Sequence, residues 1–354
     1  MTKGTTAIQQ WMGEQHADGV LISSIANRYY LSGFTGSAGS LLMTKDQQYI
    51  LSDFRYQQQV GDETPDFEFL MIDQKNPLTK HLNDLGLKRI GVEEGKFSYG
   101  QFLEFEEKLD QTELIPLNGL MEQIRAVKTE TEIEMIRQAA DLTDQGWTYI
   151  KEQIQPGKSE KELALNLEFF MRTHGADNIS FPIITASGHR SALPHGIASD
   201  KLIEQGDFLT MDFGCRVHRY CSDMTRSLVV GKATGSQRKV YETVLEAQQT
   251  ALYAVRPGIT GAELDEIARE IIKKAGYGDA FGHGLGHGVG LEVHEQPHVN
   301  HKGTSPLEPG MVITIEPGIY IPEFGGVRIE DLVLVTKDGF EVLSHSDKEL
   351  VELI

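Results

Sequence analysis

Cysteine is almost missing from this chain: Cys215 and Cys221 are the only two in 354 residues. That excludes a disulfide framework and suits a reducing compartment. The pair flanks the turn of a hairpin, and both are read as packing residues. Long apolar runs are missing as well. Nothing approaches the roughly 18 residues of a membrane span, and Met1-Thr2-Lys3-Gly4-Thr5-Thr6 has no apolar core of signal-peptide type. The expectation is a cytoplasmic protein with no membrane partner. Positive charge is scarce: 33 Lys and Arg stand against 52 Asp and Glu, for a net charge of −19. Nucleic acid is therefore an unsuitable partner, since such binding draws on neutralised phosphates. Two nucleotide signatures are absent too. The glycine-rich stretch Tyr29–Gly39 lacks the Lys-Ser/Thr ending of a phosphate loop, and the histidine-glycine stretch 282–290 does not fit Gly-x-Gly-x-x-Gly.

What is present suits a soluble globular chain, 40% hydrophobic and 24% charged, long enough for two domains. In the first, 1–124, short strand and helix signals alternate. Gly19–Ile22, Ser40–Met43, Tyr49–Leu51 and Arg89–Val92 read as strands; Ile8–Gln15, Pro77–Leu85 and Tyr99–Leu109 read as helices. Tyr29–Gly39 reads as a turn between strands. Asp53 and Arg55, placed with matching parity at a strand end, read as a local ion pair.

The second domain, 125–354, opens with Thr129-Glu130-Thr131-Glu132, which has the spacing of a capping box. A long helix follows, its buried face starting with Ile133, Ile136, Ala139 and Ala140. From there the chain nearly repeats itself. Pro156-Gly157 returns as Pro257-Gly258, 101 positions on, each followed by a capping signal and a helix that stops at Gly175 or Gly276. Gly206–Gly214 returns as Gly310–Gly318, 104 positions on, with Asp212 falling on Glu316. An acid in the same strand slot of both copies implies a pseudo-twofold α/β domain whose slots converge.

The chemistry sits in those slots. Asp212 ends an apolar strand, and the partner strand Tyr220–Val230 carries Asp223. Isolated buried carboxylates cost several kcal/mol, and two facing each other repel unless a cation lies between them. On its own the same pattern fits a surface hairpin with solvated acids. Gly326–Asp331 adds Glu330, with Arg328 two residues away on the same strand face. Three histidines, His283, His287 and His294, lie among glycines in a region read as a turn, and His195 lies in Leu193-Pro194-His195-Gly196. Asp212, Asp223, Glu316 and Glu330 bring four negative charges; one neutral imidazole, His287, completes a set that two divalent cations balance. Such a set suits Mn²⁺, Co²⁺, Fe²⁺ or Zn²⁺, and two ions can activate water against a carbonyl. The other histidines and Arg328 remain to hold substrate and oxyanion.

With these residues the chain resembles the "pita-bread" metallopeptidases, the group of methionine aminopeptidase, aminopeptidase P and prolidase. The resemblance rests on Met211–Gly214, Ser222–Arg226, Gly286–Gly288, Ile315–Gly318 and Arg328–Asp331, and the N-terminal third is similar to that of creatinases. It implies a small creatinase-type domain before a pita-bread catalytic domain, two divalent ions, and hydrolysis of Xaa-Pro in dipeptides or short peptides by a homodimer. By resemblance, Asp212 holds one ion, Asp223 and Glu330 bridge both, and His287 and Glu316 complete the second. Glu316 would also shuttle a proton. His195 would contact the substrate near its free amine or the scissile group, His294 the peptide carbonyl or developing oxyanion, His283 the proline side, and Arg328 either Asp212 or the substrate. The N-terminal domain would narrow access. Methionine aminopeptidase lacks an extra domain of this size, and both creatinase and the non-catalytic binding modules of this fold lack the ligand set present here.

Overall fold

The strand Gly19–Ile22 is buried along its whole length, because its side chains serve two cores at once. In the computed structural model, which describes residues 3–109 and 111–353, Val20 and Ile22 join Ile8, Met12 and Phe34 on one face of a sheet, while Leu21 joins Leu82 and Phe105 on the other. This is the period-two alternation of a strand covered on both sides. Met1, Thr2, Asp110 and Ile354 lie outside the described residues, so the reading of the first six is followed only from Lys3. The sheet has six strands in the order Glu68–Met71, Gln48–Ser52, Ser40–Thr44, Gly19–Ile22, Arg89–Val92, Glu113–Pro116. The chain divides into two units, Met1–Ile124 and Arg125–Ile354.

The first unit corrects one expectation. Tyr29–Ser32 belong to a helix, Ile25–Ser32, rather than to a turn. Its signals are at the ends: the Ser24 hydroxyl accepts from Asn27 N, and Gly33 closes the helix at φ 79°. The two tyrosines, better strand than helix formers, masked it. The loop beyond wraps the buried Arg28, whose guanidinium donates to the carbonyls of Gly36 and Gly39. Asp53 and Arg55 do form the local pair, with two bonds of 2.8 Å, but in a short 3₁₀ turn rather than a strand.

The second unit is built twice. Helices Glu130–Lys151 and Glu160–Thr173 pack on the antiparallel strands Phe208–Phe213 and Met224–Val230 around Leu163, Leu167, Met211 and Leu228. Helices Gly235–Ala254 and Gly261–Lys274 pack on Val312–Ile315 and Asp331–Thr336 around Val244, Leu264, Ile313 and Val333. Gly206 and Gly310 enter the two matching strands at φ 90° and 91°, a left-handed turn that favours glycine. Thr129–Glu132 and Thr260–Glu263 form complete capping boxes. At Ser159 only the hydroxyl half is made, to Glu162 N, and the Glu162 carboxylate lies 3.7 Å from Lys158 instead.

Strand boundaries differ from expectation where it matters. Asp223 sits in a break between Tyr220–Cys221 and Met224–Val230, so the residue opposite Asp212 is Thr225. Glu330 likewise lies in the break between Gly325–Arg328 and Asp331–Thr336. Leaving the ladder at these points lets each carboxylate turn away from the sheet face its neighbours obey.

Candidate metal centre

His287 is on a strand, Gly286–Gly288, not in a turn. The glycines beside it answer to crowding: a Cβ at Gly286 would stand 2.1 Å from the Thr314 carbonyl oxygen, and one at Gly288 would stand 2.1 Å from that of Gln296. The imidazole Nδ1 lies 3.1 Å from the Gly288 carbonyl. With Nδ1 donating there, the neutral ring would present its Nε2 lone pair inward, the tautomer a metal ligand needs.

Inward it meets acids. Nε2 lies 3.3 Å from Glu316 Oε1 and 3.6 Å from Asp223 Oδ2. One ligand atom each from Asp223, His287 and Glu330 falls within 4.8 Å of the others. Asp212 enters from the matching slot of the first lobe, where Arg328 Nη2 donates to its Oδ2 at 2.6 Å. His287 thus gathers Asp223, Glu316 and Glu330, and Asp212 joins them through Arg328, which also donates to the Thr225 hydroxyl bonded to Glu330. His294 places its ring 4.3 Å from that of His287, centroid to centroid. His195 is exposed, and the carbonyl of Pro194 beside it accepts from Arg328 Nη1 at 3.2 Å.

Three supporting residues were not singled out from sequence. Thr225 donates to Glu330 Oε2 at 2.6 Å and accepts from Arg328 Nε at 3.0 Å. Thr314 donates to Glu316 Oε1 at 3.0 Å and accepts from His287 N. Tyr320 accepts from Arg328 Nη1 at 2.8 Å and lies 2.8 Å from His283 Nε2. Each threonine stands two residues from an acid, a spacing that was available as a signal. Tyr320 had none, because its partners come from other segments.

The electrostatics are those of a site with too few cations. Burial, then the charge of Glu330, pushes Asp223 well above the usual carboxylate range; burial, then Glu316, does the same to Glu330. Asp212 is also raised by burial, in part offset by Arg328. Burial opposes ionisation of Glu316 too, but its hydrogen bond to His287 and the charge of that ring win, and its pKa falls. The His287 pKa rises in return, against the effect of burial. Burial lowers His283 and pushes Tyr320 up to about 12, keeping both neutral. Among the described residues Asp212 Oδ1 and Glu330 Oε1 are buried without a hydrogen-bond partner, a costly condition that a cation removes. An oxygen-rich donor set with one imidazole, short of positive charge and holding orphaned oxygens, fits divalent ions.

Comparison with known proteins agrees. Residues 5–127 match the creatinase/prolidase N-terminal domain. An Xaa-Pro dipeptidase of Pyrococcus furiosus is 43% identical over 97% of this chain and 97% of its own length. Among solved structures, an Xaa-Pro dipeptidase from Bacillus anthracis superposes with a TM-score of 0.95 at 42% identity, covering 99% of both chains. An X-Pro aminopeptidase from Thermotoga maritima gives 0.87 at 40% identity, covering 95% of this chain and 97% of that one. Residues 134–337, which hold all five of the convergent side chains, match metallopeptidase family M24, and the chain belongs to that family.

Proposed function

We propose that the protein is a metal-dependent exopeptidase that hydrolyses the Xaa-Pro bond at the N-terminus of dipeptides or short peptides. The observation that carries this reading is the convergence of Asp212, Asp223, Glu316, Glu330 and His287 with two carboxylate oxygens left unpaired. Full-length similarity to proteins named Xaa-Pro dipeptidase supports the choice of substrate. Asp212, Asp223, His287, Glu316 and Glu330 would together hold the two ions. Mn²⁺ suits this oxygen-rich set best, with Co²⁺, Zn²⁺ and Fe²⁺ as alternatives.

Bound ions supply charge neutralisation, polarisation of the scissile carbonyl and activation of water. The chain's own groups do the rest. Glu316 takes the proton of the attacking water and passes it to the proline nitrogen as the bond breaks. His195 contacts the substrate near its free amine or the scissile group, and His294 binds the peptide carbonyl and stabilises the charge that develops there. His283, neutral and with Nε2 engaged by Tyr320, closes the proline side. Arg328 orients Asp212. Homodimeric assembly and a cytoplasmic location belong to the same reading; Cys215 and Cys221 are free and buried, and no helix among the described residues is long and apolar enough to cross a membrane.

The test is release of the first amino acid from Xaa-Pro, Xaa-Pro-Yaa and Met-Ala-Ser peptides with Mn²⁺ or Co²⁺. Cleavage of the proline substrates is expected. Cleavage of Met-Ala-Ser alone indicates a methionine aminopeptidase, and no turnover with any ion indicates a binding module.

A further inference from the structure

Glu160 is a carboxylate with no solvent exposure, far in sequence from the expected ligands, and it accepts five hydrogen bonds. Its Oε1 takes Ser187 N and Ser187 Oγ at 2.8 and 2.9 Å. Its Oε2 takes Arg190 Nε at 3.0 Å, Ser199 N at 3.1 Å and Ser199 Oγ at 2.6 Å. Ser187 and Ser199 are the two ends of the loop that carries His195. One side chain thus pinches the entry and the exit of that loop together. Arg190 closes the span by donating Nη2 to the Ile197 carbonyl at 2.7 Å, two residues beyond His195. The inner side of the loop is docked as well: Ser191 Oγ accepts from Gly326 N at 2.8 Å, and the Pro194 carbonyl accepts from Arg328 Nη1 at 3.2 Å.

The second lobe grips its own histidine loop in the same manner. Asp265 is buried, accepts from Leu285 N at 2.9 Å, and takes two bonds of 3.0 Å from Arg269. Arg269 in turn donates to the Phe281 and His283 carbonyls at 2.8 and 2.9 Å. The two acids are not equivalent in the repeat, for Glu160 aligns with Gly261. The structure supplies the reason: a Cβ at Gly261 would stand 2.1 Å from the His298 carbonyl oxygen. Backbone fills the space that the Glu160 side chain uses in the first lobe, and the acid moves one helical turn along, to Asp265.

We propose that Glu160 is a positioning residue for His195, holding the loop in the geometry that substrate binding needs. The proposal rests on the functional reading above, in which His195 touches substrate. Glu160→Gln is the direct probe, because an amide nitrogen in place of either oxygen faces an obligate donor, the backbone N–H of Ser187 or of Ser199. With Mn²⁺-loaded enzyme and Xaa-Pro as substrate, Glu160→Gln is expected to lower kcat/KM about 10²-fold while bound Mn²⁺ stays at the wild-type amount. Added to His195→Ala, it is expected to cost less than about threefold more, since the two residues then act as one unit. In the metal-free protein, amide hydrogen exchange of residues 188–199 should quicken while that of Phe208–Phe213 does not. Arg190→Met, which leaves the four serine bonds in place, provides the same cycle should Glu160→Gln fail to fold. Turnover by the wild type with losses that multiply in the double variant overturns the proposal alone. A wild type that leaves Xaa-Pro intact overturns the functional reading and the proposal together.

Discussion

Arg328 and Asp212 are joined by a 2.6 Å bond from Nη2 to Oδ2, while the other oxygen of the same carboxylate has no hydrogen-bond partner among the described residues. The arginine therefore fixes the carboxylate's orientation and leaves one oxygen available. Arg328 also serves Thr225, Pro194 and Tyr320, so its loss strands four acceptors. Arg328→Ala is expected to destabilise the metal-free protein by about 3–5 kcal/mol, the typical cost of breaking a buried pair. Urea unfolding measures this. Arg328→Lys keeps the charge without the fork and should still lose part of its bound metal; a full complement would remove the orienting role.

The raised pKa values of Asp223 and Glu330 bear on stability. A carboxyl whose folded pKa lies above its unfolded value contributes stability that is complete below the unfolded pKa, about 4, and is lost as pH rises through the folded value. The metal-free protein should therefore begin to shed this contribution as pH rises above about 4. Glu330→Gln removes one of the two titrations. Its Tm in chelator should exceed that of the wild type near neutrality, by a few degrees, and the difference should shrink in acid. Added Mn²⁺ should raise the wild-type Tm and leave the variant's nearly unchanged. Equal Tm profiles for the two proteins in chelator would refute the assignment of Glu330 as a strained acid.

Metal uptake should release protons for the same reason. Asp223 and Glu330 must ionise, and His287, whose pKa is raised, must become neutral, before they coordinate. Apparent affinity is expected to fall steeply as pH drops below neutral. Calorimetric titration with Mn²⁺ in buffers of different ionisation enthalpy should give at least one proton released per protein. Identical heats in all buffers would contradict it.

Asp212 and Glu316 were legible because each is an acid at the end of an apolar strand and because they recur at matching points of a duplicated pattern. The detail around them was not. Strand reading placed Asp223 and Glu330 inside continuous ladders, yet both occupy breaks, which periodicity passes over when only two residues leave the pattern. Tyr320 and Glu160 carried no local mark. Their importance comes from partners more than 25 residues away in most cases, Ser199 for Glu160 and His283 for Tyr320 among them. The helix Ile25–Ser32 was hidden by its tyrosines, although Ser24 and Gly33 announced its ends.

Gly286 and Gly288 leave no room for any other residue, with neighbouring carbonyl oxygens already where a Cβ would go. The imidazole between them is thus flanked along the chain by two positions that main chain closes to any side chain. Its immediate flanks offer no substitutable positions through which drift or breeding for a different ion preference can proceed. Such adaptation has to come from residues lying across the cleft, which narrows the evolutionary routes open to this centre.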